Sequence, residues 1–112
     1  MTEIQHITPE DAAQRIESGA LALDVREPDE WAAGHAPGAK HVPLGELGAR
    51  VDELPKDRPI VAICRVGGRS GKATEALVNA GYDVVNLDGG MRAWDAAGQP
   101  IVTDDGSTGT VI

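Results

Sequence analysis

The sequence predicts an α/β fold built on a mainly parallel sheet. Short apolar runs of strand type alternate along the chain with segments that carry helix-start and helix-stop signals, the order that strand–helix–strand crossovers leave. The apolar residues are mostly Ala, Val, Leu and Ile, Phe is absent, and the only aromatics are Trp31, Tyr82 and Trp94. A core of aliphatic side chains suits a parallel sheet covered by helices. The 112 residues correspond to one domain. A chain of this size buries roughly 60–70% of the surface its unfolded form exposes, so it folds without staples.

Each element follows from local signals. Ile4-Gln5-His6-Ile7 reads as a short first strand. Thr8, Pro9, Glu10 and Asp11 then start a helix: an N-cap, a proline at the first helical position and acids in the first turn. Ala12, Ala13 and Ile16 form its apolar side, and Gly19 ends it. Leu21 to Val25 is a compact strand of the buried type. Glu27 to Ala33 reads as a short helix with Pro28 near its start and Gly34 as its stop. His35 to Gly38 is a turn, and His41-Val42 a brief extended piece. Leu44 to Leu54 reads as a helix broken by Pro55. Ile60 to Ile63 is the central strand. Arg69 to Asn79 is the next helix, with Ala73, Ala76 and Leu77 as its stripe and Gly81 as its stop. Val84 to Leu87 is a strand, Gly90 to Ala97 a last helix, and Ile101-Val102 a final extended piece. Residues 3–102 make up the domain. From Thr103 the chain is polar and rich in Gly, Ser and Thr, so residues 103–112 are expected to fray.

Charge and cysteine usage exclude several classes of function. The formal net charge is -8, which argues against nucleic acid and anionic membranes as partners. Three of the ten basic residues, Arg65, Arg69 and Lys72, fall within 64–73, where there is no acid. A single cysteine rules out an intramolecular disulfide and fits a reducing compartment. No run has membrane length, and the start has no basic-then-apolar pattern. The expected location is the cytoplasm.

The locally reversed charge surrounds that one thiol. Cys64 follows the Ile60–Ile63 strand, at the edge where open α/β sheets bind ligands. The loop Arg65, Val66, Gly67, Gly68, Arg69 is then free to wrap its N–H groups around the sulfur. Gly67 and Gly68 permit the dihedrals such a cradle needs. Backbone N–H groups, a helix N-terminus and Arg69 all favour negative charge there. The thiol is expected to titrate below the ordinary value for cysteine. The cradle is expected to hold an anion, either a substrate group or a charge carried on the sulfur itself. A persulfide puts its terminal charge one atom deeper into the same ring. The competing reading is a small buried hydrophobe beside a surface loop.

These residues resemble the rhodanese family. C-R-V-G-G-R-S at 64–70 is similar to the family's C-x-x-G-x-R-S loop. L-D-V-R-E at 23–27, G-H-A-P-G-A at 34–39, H-V-P-L at 41–44 and G-Y-D-V-V-N-L-D-G-G-M-R-A-W at 81–94 resemble further family segments, in order. The resemblance covers residues 3 to 102. It implies a five-stranded, mainly parallel sheet with helices on both faces. It also implies sulfur transfer by double displacement with Cys64 as nucleophile, a small anionic donor such as thiosulfate, and cyanide, a thiol or a protein as acceptor. No cofactor is implied. The alternatives are a persulfide relay to a partner protein and a non-catalytic binding module, the last disfavoured by the intact Cys64 and Arg69. Phosphatases and arsenate reductases that resemble this fold carry one residue more between Cys and Arg, and the shorter ring suits one sulfur atom.

The remaining candidates each carry two readings. Asp24 pairs with an arginine and braces the loop, as the resemblance suggests, or stabilises a turn. Arg26 and Glu27 form the rim of the pocket or simply start a helix. Arg65 reaches towards a donor's anionic end or is a solvated surface arginine. Ser70 anchors the loop as an N-cap, with a weak hydrogen bond to the sulfur. His35 approaches the site or, as such histidines more often do, serves a turn or packing, and Trp31 and Trp94 read as packing. The three dispersed histidines and one cysteine offer no metal-ligand spacing.

Overall fold

The computed structural model describes residues 3–112. Its sheet contains β1 (His6–Ile7), β2 (Leu21–Asp24), β3 (Lys40–His41), β4 (Ile60–Ile63) and β5 (Val84–Leu87), in the spatial order β1-β5-β4-β2-β3. All the strand pairings are parallel. The helices are α1 (Pro9–Glu17), α2 (Pro28–Ala33), α3 (Leu47–Arg50), α4 (Gly68–Asn79) and α5 (Gly90–Ala96). Thr8 caps α1, its side chain accepting from Asp11 N–H at 3.2 Å.

The pleat of β4 divides the core between two faces. Ile60 and Ala62 pack with Leu23, Leu47, Leu54 and Leu77, beneath α4 and the 44–54 segment. Val61 and Ile63 pack with Ala12, Ala22, Met91 and Trp94, beneath α1 and α5. Helices therefore cover both faces, as the resemblance implies. Cys64 continues the parity of Ile60 and Ala62 and joins the α4 layer. The chain leaves β2 towards β3 at one edge and leaves β4 towards β5 on the other side. The crevice between the carboxyl ends of β2 and β4 is thus the topological switch point, where such sheets take ligands.

Two expectations fail. Residues 44–54 are not one helix but a 3-10 turn (Leu44–Glu46), the single turn α3 and a second 3-10 turn (Val51–Glu53). Gly45 and Gly48 weaken helix preference there, and the buried Leu47 and Leu54 hold the segment by tertiary contact instead. Residues 103–112 do not fray but fold back on the domain. Thr110 N–H donates to Ala33 O at 2.9 Å and Gly109 N–H to Ile101 O at 3.0 Å, while Val111 packs on the α1/α5 side. Backbone hydrogen bonds anchor this polar segment, and composition does not report them.

One contact between elements positions the site. The start of α5 docks on the end of β4: Met91 N–H donates to Cys64 O at 2.8 Å and Arg92 N–H to Arg65 O at 3.0 Å. Gly90 makes that approach possible. Its φ is +59°, and a Cβ there would overlap Cys64 O and lie 2.6 Å from Arg65 O. Gly90→Ala is therefore expected to lose at least about 1–3 kcal/mol of stability, measured by denaturant unfolding. Gly68→Ala, on helical backbone with open space around it, is expected to be neutral or slightly stabilising in the same experiment.

Candidate active site

Cys64 lies directly after the central strand and is 1% exposed. Gly67 N–H donates to its Sγ at 3.0 Å, and Ser70 Oγ stands 3.3 Å from the same atom. Gly67 precedes α4 with φ +105°, a conformation that side chains rarely adopt. Gly68 needs no such freedom, because it is already the first residue of α4. The expectation that both glycines shape the cradle therefore holds at Gly67 alone. Burial pushes the Cys64 thiol up. The Ser70 hydroxyl, and then the N–H groups of Ser70, Gly67 and Val66, push it down, and the hydrogen bonds win, so the thiol titrates below its ordinary value. Val66 contributes its backbone only; its side chain is exposed.

Arg69 takes a different place from the expected one. Its guanidinium is bound bidentately by Glu30, Nη1 to Oε1 at 2.6 Å and Nη2 to Oε2 at 2.8 Å. The Arg69 hydrogen bonds hold the Glu30 carboxyl down at about 2. Arg69 is held in its charged form first by the Glu30 hydrogen bonds and also by attraction to an ionised Cys64, so it keeps part of its expected electrostatic role. What the pair does is bridge the crevice, tying the loop after β4 to α2 after β2. Glu30 escaped sequence reasoning. Its Oε1 also accepts from Glu27 N–H at 3.0 Å, in a capping box. The E-x-x-E spacing at 27–30 therefore reads as a helix start and hides the second partner.

Asp24 and Arg26 form a buried pair beneath the crevice. Arg26 is fully buried, so it is not at the rim. Asp24 Oδ2 accepts from Arg26 Nη2 at 2.8 Å, and Oδ1 accepts from both the Arg26 side chain and its backbone N–H at 3.0 Å. Asp24 thus pairs with an arginine, Arg26, and caps a turn through the Arg26 backbone N–H; its bonds go to Arg26 and not to the 64–70 loop. Arg26 Nη2 also donates to Gly34 O at 2.7 Å, and His41 Nε2–H donates to Arg26 O at 2.8 Å. Arg26 Nη1 has no partner among the described residues.

The other candidates lie apart from the sulfur. Arg65 Nε donates to Ile112 O at 2.8 Å, and the residue lines a cavity of about 430 Å³ with Arg92, Asp95, Ala96 and Val111. Its backbone belongs to the loop, while its side chain serves this second pocket. His35 is a packing residue, as expected: its ring stacks on Trp31 with centroids 3.5 Å apart, and Nδ1–H donates to Trp31 O at 3.0 Å. Trp94 is buried and donates to Pro100 O at 2.8 Å. Among the described residues there is no cluster suited to a metal ion, and no helix is long and apolar enough to cross a membrane. Two residues that sequence reasoning did not connect to the site reach it through Ser70. Asn86 Oδ1 accepts from the Ser70 hydroxyl at 2.6 Å, and His6 Nδ1 stands 3.1 Å from Asn86 Nδ2. The signal for Asn86 was a polar residue inside an otherwise apolar strand.

The model of the rhodanese-like domain family matches residues 8–97. The chain belongs to the rhodanese family. A sulfurtransferase from Allochromatium vinosum is 40% identical to the chain over 106 residues, covering 92% of the chain and 99% of the relative. A rhodanese-related protein from Thermoplasma volcanium superposes with a TM-score of 0.85 at 32% identity, over 89% of this chain and 99% of that one. The reduced Bacillus anthracis CoADR-RHD superposes at 0.78 with 34% identity over 81% of this chain, which spans only 16% of that longer protein. These relatives support a sulfurtransferase-type role for the domain.

Two predictions follow from the charged groups. Asp24→Ala strands the Arg26 guanidinium in the core and is expected to cost about 3–5 kcal/mol in equilibrium unfolding. The depressed Glu30 carboxyl means that its pair with Arg69 stabilises the fold at neutral pH and loses that contribution as pH falls from 4.5 towards about 2. The difference in urea midpoint between the wild type and Glu30→Gln is expected to be largest at neutral pH and to shrink across that acidic window.

Proposed function

We propose that this rhodanese domain moves a sulfane sulfur from a small anionic donor such as thiosulfate to cyanide or a thiol, through a persulfide on Cys64. The observation that carries this reading is the set of donors around one sulfur. The Ser70 hydroxyl and the N–H groups of Ser70, Gly67 and Val66 favour ionisation of the chain's only cysteine despite its burial, with Gly67 N–H 3.0 Å and Ser70 Oγ 3.3 Å from its Sγ. A thiolate is the nucleophile such chemistry needs.

In the first displacement the Cys64 thiolate attacks the outer sulfur of thiosulfate. The new Cys64 S–S bond forms, the donor's S–S bond breaks, and sulfite leaves with that bond's electron pair. The negative charge now sits on the terminal sulfur, one atom further into the loop's donors. In the second displacement cyanide attacks that terminal sulfur, thiocyanate leaves, and the Cys64 thiolate returns. Neither step changes the number of protons on the protein. The Glu30–Arg69 bridge keeps the loop closed over the anion without adding a full positive charge that would trap it.

Intact mass before and after thiosulfate, then after cyanide, tests the cycle. The expected result is a gain of one sulfur that cyanide removes with release of thiocyanate, and no gain in Cys64→Ser. The cyanide step is decisive, because two added oxygens weigh nearly the same as one sulfur and a sulfinic acid does not reverse. No reversible gain with thiosulfate would overturn the reading, as would sulfur transfer retained in Cys64→Ser.

A further inference from the structure

Asn86 sits in the middle of β5, beside the central strand, and is 1% exposed. An amide buried among Val84, Val85 and Leu87 is costly unless its hydrogen bonds are made. Here they are made, and they fix its orientation. Nδ2 donates to Gly67 O at 3.1 Å and faces His6 Nδ1 at 3.1 Å, while Oδ1 faces Ser70 Oγ at 2.6 Å. Gly67 O accepts only, so a flipped amide would set two oxygens against each other there. Asn86 Oδ1 is therefore held as an acceptor towards Ser70.

The Ser70 hydroxyl has one proton and two acceptors competing for it: Asn86 Oδ1 at 2.6 Å and Cys64 Sγ at 3.3 Å. We propose that Asn86 is a positioning residue for Cys64, acting as the alternative acceptor for the Ser70 proton. The proposal rests on Cys64 as the nucleophile. With Cys64 a thiol, its S–H donates to Ser70 Oγ and the Ser70 O–H donates to Asn86 Oδ1. When Cys64 loses its proton to solvent, the hydroxyl turns to the anionic Sγ. When the sulfur atom arrives, the charge moves outward and Sγ becomes a neutral bridging atom. The hydroxyl then returns to Asn86. No proton is gained or lost by Ser70 at any stage. Asn86 thus gives the hydroxyl somewhere to go in the states where Sγ is uncharged, and it limits how strongly the thiolate is held. A thiolate held too tightly is the weaker nucleophile.

The test reads ionisation rather than transfer. Thiolate ultraviolet absorbance is followed against pH in the full chain for the wild type, Asn86→Leu, Ser70→Ala and the double variant. Cys64→Ser supplies the baseline that subtracts Tyr82. Asn86→Leu is expected to raise the ratio of thiolate to thiol at a given pH about three- to tenfold, the scale of the one neutral hydrogen bond, Ser70 to Asn86, that ionisation would no longer have to break. Ser70→Ala is expected to lower it, and the double variant to match Ser70→Ala. A ratio unchanged or lowered in Asn86→Leu would overturn the proposal. So would an Asn86 effect that persists without the Ser70 hydroxyl, which would assign Asn86 to holding Gly67. If Asn86→Leu does not fold, the carbon-13 shift of the Asn86 side-chain carbonyl decides. It is expected to follow Cys64 ionisation in the wild type and to be flat in Ser70→Ala; a flat titration in the wild type refutes the relay. Failure of persulfide formation with thiosulfate would leave these titrations readable, so the two readings fail separately.

Discussion

The hydrogen bond from Met91 N–H to Cys64 O, at 2.8 Å, is the constraint on which the rest of the site depends. It and its neighbour from Arg92 N–H to Arg65 O use up the carbonyls at the start of the loop. With those oxygens turned towards α5, the loop presents N–H groups rather than carbonyls to the sulfur. The sorting of peptide dipoles around Cys64 is thus a consequence of helix docking, and helix docking needs the close approach that Gly90 allows. The residues that set the chemistry at Cys64 therefore include some on the far side of β4.

In a protein of net charge -8, the groups that do most to favour ionisation of Cys64 are a hydroxyl and backbone N–H groups, which carry no net charge. The sequence offers backbone N–H groups, a helix N-terminus and Arg69 for that work. In the structure Glu30 compensates Arg69, and Arg65 is turned to Ile112 O. Short-range dipoles remain, acting within one hydrogen-bond length in a site sheltered from water, where they lose least to screening. This division of labour suits the proposed sulfur transfer, in which the charge moves by one atom. A ring of N–H groups serves both positions of the charge, whereas a guanidinium in contact with one of them would favour that one.

Much of this was legible in the sequence because it is local. The strand before Cys64, the N-cap at Thr8 and the glycine at 67 follow from signals within a few residues. The 44–54 segment was misread because its helix propensity is undercut by Gly45 and Gly48, and its shape is set by contacts of Leu47 and Leu54 with distant residues. The 103–112 segment was misread because its anchors are backbone groups of Ala33 and Ile101. Glu30 and Asn86 were missed for the same kind of reason. Their partners, Arg69 and Ser70, are 39 and 16 residues away, and nothing in one sequence reports which acid or amide faces them.

The buried polar groups of this domain fall into two kinds, and the difference bears on function. The Asp24–Arg26 pair is built for permanence: Asp24 takes three donors from one arginine, whose Nη2 also has Gly34 O. Neither partner has a competing choice, so removing one leaves a stranded charge and the network acts as scaffold. The Cys64–Ser70–Asn86 chain is built with one proton shared between two acceptors. Such a chain cannot satisfy every acceptor in every state, and a core selected for stability alone would replace it with apolar side chains. Its place next to Cys64 is understandable under the proposed transfer, in which the sulfur itself changes charge, because the unsatisfied position then moves with the reaction instead of standing as a fixed cost.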